Sequence, residues 1–66
     1  MWIARDKDGS LWLFIKKPNR IEVKNLAMWG FEHNTCDYII GCMPMGMFPE
    51  LKWENDPVEV DLIIKN

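Results

Sequence analysis

No run of apolar residues in this chain approaches the roughly 20 needed to cross a bilayer as a helix. The opening Met1-Trp2-Ile3-Ala4-Arg5-Asp6 puts charge where a signal peptide would carry its apolar stretch, so the expected location is cytoplasmic. Cysteine is scarce: Cys36 and Cys42 are too few for the disulfide framework of a small secreted scaffold. On a straight strand, six steps of about 3.3 Å would hold the two roughly 20 Å apart, beyond disulfide reach, so reduced and buried thiols are expected. Histidine occurs once, at His33. There is no glycine-rich phosphate loop and no pair of carboxylates that stands out as an acid–base couple. No repeat, low-complexity tract or linker interrupts the 66 residues, which are too few for two domains.

These absences exclude most chemistry. A nucleophile needs a neighbouring base and a third group to orient it. His33 and Cys36 could meet only on a helical turn, and Asn34-Thr35 before a β-rich run disfavours one. No catalytic residue is therefore expected. His33, Cys36 and Cys42 are also three potential metal ligands, but structural zinc takes four, and Asp37 would point away from Cys36 on a strand. Asp6-Lys7-Asp8-Gly9 lacks the third carboxylate and the distant Glu of a calcium loop. Neither a metal nor a cofactor is expected.

What the chain does have is apolar bulk: 48% apolar residues, including four Trp, three Phe and one Tyr. Large aromatics bury roughly 150–250 Å² each, enough to anchor a small core. Two apolar runs flank Asp6-Lys7-Asp8-Gly9, with Asp first and Gly fourth as in a type I turn closed by a glycine bulge. If Asp6 faces Ser10, then Ala4 faces Trp12 and Trp2 faces Phe14 on an aromatic face. The opposite face carries Ile3, Arg5, Leu11, Leu13 and Ile15, and is mainly aliphatic. A register shifted by one would mix the two sets. With both faces apolar, either both are covered or one binds something.

Further strands are predicted from Arg20 to Lys24 by alternation, over 26–31 with Ala27, Trp29 and Phe31 on one face (a helical turn being the alternative), over 36–43, and over 58–64 with Val58, Val60, Leu62 and Ile64 inward. Asn25 marks a turn. Pro44 to Leu51 is too rich in Pro and Gly for a strand and predicts a packed loop with a short 3₁₀ turn near 48–51. Five or six short strands and no long helix predict an all-β, antiparallel domain over residues 1–66. An SH3-like barrel is the first expectation, and a curled sheet that dimerises the second.

The segment Trp2-Ile3-Ala4-Arg5-Asp6-Lys7-Asp8-Gly9-Ser10-Leu11-Trp12-Leu13-Phe14, followed by Lys17-Pro18, resembles the opening of a set of short uncharacterised proteins of bacteria and their prophages. Phe48-Pro49-Glu50-Leu51-Lys52-Trp53-Glu54 and Pro57-Val58-Glu59-Val60-Asp61-Leu62 resemble how those proteins close. The resemblance covers about half the chain and omits residues 19–47. It implies a small accessory protein of a bacterial mobile element and transfers no catalytic residue.

Two binding functions follow from composition. Trp, Tyr and Met are enriched at interfaces, and this chain has more of them than a small core plainly needs. The candidate contacts for a protein partner, possible self-association to a homodimer included, are Trp12, Phe14, Trp29, Met45, Met47 and Trp53. The alternative is weak binding of single-stranded nucleic acid, with Trp12 and Phe14 as stacking platforms beside Lys16, Lys17, Arg20 and the nearby Arg5. Net charge is −2, with a net +3 over residues 1–24 and −5 over residues 25–66, so the second half would repel phosphate.

Overall fold

The computed structural model describes residues 1–32 and 36–61, with Cys36 described by its backbone alone. Among the described residues six strands are formed: β1 (Trp2–Arg5), β2 (Leu11–Phe14), β3 (Asn19–Val23), β4 (Leu26–Gly30), β5 (Ile39–Met43) and β6 (Val58–Glu59). All pairings are antiparallel. One sheet has the order β5-β2-β1-β6, and β3 and β4 form a second, two-stranded sheet.

The β1–β2 hairpin has the register that sorts its side chains: Trp2 opposite Phe14, Ile3 opposite Leu13, Ala4 opposite Trp12 and Arg5 opposite Leu11. Asp6 N–H donates to Ser10 O at 2.8 Å, and Gly9 N–H to Asp6 O at 3.0 Å. Gly9 sits at φ +98°, the left-handed conformation that closes this turn and that side chains resist. Asp8 Oδ1 accepts the Ser10 N–H at 2.9 Å, which holds the Asp8 carboxyl below its ordinary pKa.

Both faces of the hairpin are covered. On the aromatic face, Ala4, Phe14 and Trp29 form a buried cluster, with Trp2, Trp12, Phe31, Ile39 and Trp53 packed around it. Phe31 stands edge-on to Phe14 with centroids 5.9 Å apart, and Trp29 edge-on to Trp53 at 5.7 Å. On the aliphatic face, Ile3, Leu11 and Leu51 are buried, with Leu13, Met43 and Val60 against them. Residues 26–30 are a strand, not a helical turn. β3 and β4 meet through Lys24-Asn25, where Lys24 takes φ +52° and supplies the twist a two-residue hairpin turn needs.

Three expectations are corrected. The described strands do not close into a barrel. β6 pairs with only Trp2 and Ile3 of β1, and the β3–β4 hairpin reaches the larger sheet through side chains, Asp6 Oδ1 accepting the Trp29 N–H and Trp29 Nε1–H donating to Arg5 O, each at 2.9 Å, instead of through a ladder. A 3₁₀ helix occupies Cys36–Tyr38, so the following strand begins at Ile39 and not at 36. The short turn expected at 48–51 is present, closed by one i→i+3 bond, Leu51 N–H to Phe48 O at 2.9 Å, with Pro49 at its second position. The last strand is Val58–Glu59, with Val58 exposed and Val60 turned to the aliphatic core; the rest of the alternation, Leu62 and Ile64, lies outside the described residues.

Candidate functional site: a loop held by a buried arginine

Alternation along β1 turns Arg5 to the aliphatic face beside Ile3 and opposite Leu11. Its side chain is only 9% exposed. A guanidinium carries five N–H donors in a fixed fork, and a buried one must satisfy them. Here all five are satisfied by main-chain carbonyls. Nε donates to Leu51 O at 2.7 Å, Nη1 to Gly9 O and Met45 O at 2.9 Å each, and Nη2 to Met47 O at 2.7 Å and Phe48 O at 3.0 Å. Four of the five acceptors belong to the loop from Pro44 to Lys52, so this segment without regular structure is wrapped around one cation.

That wrapping decides where the loop's side chains go. With the carbonyls of 45, 47 and 48 drawn inward, Met45, Met47 and Phe48 are 60%, 41% and 38% exposed, while Leu51 is buried against Ile3 and Leu11. Phe48 adopts φ +51° to bring its carbonyl to Nη2. Beside the loop lies an apolar groove of about 320 Å³ lined by Ile3, Phe48, Leu51, Val58 and Val60, with Glu50 and Asn55 at its polar margin. Gly9 bridges turn and loop: its carbonyl binds Arg5, and a β-carbon in its place would lie 3.1 Å from the Met45 methyl.

The six residues expected at a protein interface divide. Met45 and Met47 are exposed on the clamped loop. Phe14 and Trp29 are core residues, and Trp12 and Trp53 are half-buried in the aromatic layer. The site residues that sequence reasoning missed are Arg5, Phe48 and Val58. Arg5 belongs to no basic groove. The signal for it was its position: a lone arginine on an otherwise aliphatic strand face.

The basic residues form a second surface feature. Lys16 Nζ lies 4.4 Å from the Tyr38 ring centroid, and Lys17 Nζ 5.5 Å from Trp2. The Arg20 guanidinium sits 4.6 Å from both Trp29 and Trp53. Arg20 therefore lies over both rings of an edge-to-face pair, while Trp12 and Phe14, the expected stacking platforms, belong to the aromatic core layer.

Cys42 is exposed on β5, opposite Trp12, and not buried as expected, because its strand is at the sheet's edge. His33 and the Cys36 side chain lie outside the described residues. Among the described residues, no three His, Cys, Asp or Glu side chains gather into a metal site, and no helix is long and apolar enough to cross a membrane. Comparison with family models, curated proteins and solved structures finds no match to this chain.

Proposed function

We propose that the protein is a small non-catalytic interaction module that binds another protein through the Arg5-clamped loop. The observation that carries this reading is the satisfaction of all five Arg5 donors by carbonyls, which fixes a loop whose apolar side chains point outward. A rigid surface loses less entropy on binding than a mobile one. Met side chains on it adapt to a partner's contour, and the adjacent groove accepts one apolar anchor. The contact set is Met45, Met47, Phe48 and Val58. The two sheets facing each other across one aromatic layer suit an SH3-like architecture left open on one side. A cytoplasmic accessory protein of a bacterial or prophage system fits this reading.

The test is capture from a bacterial lysate on immobilised protein, run with the wild type, a Met45→Asp/Met47→Asp double variant and a Lys16→Glu/Lys17→Glu double variant. A protein retained by the wild type and the lysine variant but lost from the methionine variant is the expected result. Equal retention by all three would sink the reading.

A second reading rests on Lys16 and Lys17, whose ammonium groups lie over Tyr38 and Trp2 and can swing aside to expose those rings. Binding of single-stranded DNA through them would quench Trp fluorescence and weaken steeply with salt. No quenching at low salt removes it.

A further inference from the structure

Among the described strands, one edge stands apart. β6 carries Glu59 and is two residues long. β3 carries Arg20 and Glu22, with Lys24 following, so a strand laid along it would meet charge. β4 is uncharged, but its Trp29 N–H is taken by Asp6, and β1 lies against it. β5 is the outer strand of the larger sheet and pairs with β2 alone among the described strands. Its sequence, Ile39-Ile40-Gly41-Cys42-Met43, has neither charge nor proline. Ile40 is 49% exposed and Cys42 is exposed.

We propose that β5 is a self-pairing edge, which joins antiparallel to β5 of a second copy about a two-fold axis. Two-fold pairing brings each residue next to the axis within diagonal reach of its own copy, so a charge there would meet its own kind; a strand without charge is the kind that suits this partner. In a register centred on Gly41, Ile40 falls opposite Cys42 of the partner subunit. Tyr38 then falls opposite Pro44, and Asp37 opposite Met45, so no like charges meet beyond the strand ends either. The pairing gives both copies' open backbone groups partners at once, and it leaves no copy of the edge unpaired, so assembly stops at two. The ladder with β2 skips a residue at Ile40, which adds local twist. Twist disfavours flat stacking of many chains while permitting one short join.

The test is the mass in solution by sedimentation equilibrium at rising protein concentration. Ile40 is exposed and outside the β2 ladder, so Ile40→Lys and Ile40→Glu leave the fold intact, as Trp fluorescence and circular dichroism check. The wild type is expected to reach the mass of two chains. Each variant alone is expected to stay at one, because like charges then lie diagonally across the axis. An equimolar mixture of the two variants is expected to return to two. A wild type that stays monomeric, a dimer that neither charge removes, growth beyond two chains, or a mixture that fails to re-form would each overturn the proposal. None of these readouts depends on the clamped loop.

Discussion

Arg5 is the residue on which most of the molecule turns. A lysine in its place keeps the charge but offers three donors from a point instead of five from a fork. At least two carbonyls would lose their bond, so Arg5→Lys is expected to cost about 3 kcal/mol, read as a lower urea midpoint. A chain of this length has roughly 3–10 kcal/mol to lose. Arg5→Met, which leaves all five acceptors without their donor, is therefore expected to be unfolded at room temperature.

Asp6 titrates in the opposite sense to Asp8. Burial pushes the Asp6 carboxyl above its ordinary value of 3.8, helped by the nearby Asp8 charge and opposed by the Trp29 N–H bond. A folded-state pKa above the unfolded one means that folding favours the protonated acid. Its contribution to stability is thus full below the unfolded pKa and is lost as pH rises through the folded pKa. Asp6→Asn keeps an acceptor oxygen for Trp29 and removes the charge. Its thermal midpoint, measured relative to the wild type, should rise as pH goes from below 3.8 to neutral. A difference that stays flat with pH would contradict the assigned burial. Asp8, lowered by its Ser10 bonds, works the other way: its stabilisation is present above the unfolded pKa and fades as pH falls through the folded one.

Among the elements, the β1–β2 hairpin was the most legible in sequence. The Asp-x-Asp-Gly turn and the sorting of aromatic from aliphatic side chains both chose one register, and local and long-range requirements agreed there. Gly9→Ala tests it. A methyl group at Gly9 would meet φ +98° and lie 3.1 Å from the Met45 methyl. Because Met45 is flexible, backbone strain dominates, and a loss of about 1–2 kcal/mol is expected in chemical denaturation. Adding Met45→Ala should restore little of it; full restoration would show that the clash, not φ, was the cause. The loop from Pro44 to Lys52 was legible only as irregular. Its shape comes from carbonyls bonded across some forty positions of sequence, and a carbonyl is the same on every residue type. The sequence therefore carried no sign of it beyond the odd placement of Arg5. The first turn of the 36–43 segment was misread because strand-favouring Tyr38 and Ile39 suggested a strand where a 3₁₀ turn stands; only from Tyr38, whose carbonyl accepts the Ile15 N–H, does the segment pair with β2.

At the scale of the whole molecule, two layers of different chemistry share one central hairpin. The aromatic layer is closed on its outside by Arg20 between Trp29 and Trp53. Removing that cation by Arg20→Ala is expected to lower stability by about 1 kcal/mol without unfolding the chain, since its site is exposed, and thermal melts followed by Trp fluorescence would show it. That composition favoured an all-β domain was readable from aromatic and β-branched content. Closure into a barrel was not decided by it, because closure depends on which edges pair, and the two sheets here are bridged by the Asp6 carboxylate and the Trp29 indole.

A guanidinium that grips only main-chain oxygens is indifferent to the side chains those oxygens belong to. Met45, Met47 and Phe48 are thus decoupled from the scaffold that presents them: their identities can change while the frame is kept. If the loop is the binding surface proposed above, the residue held constant would be the one that touches no partner, and the contact residues would be the ones free to vary.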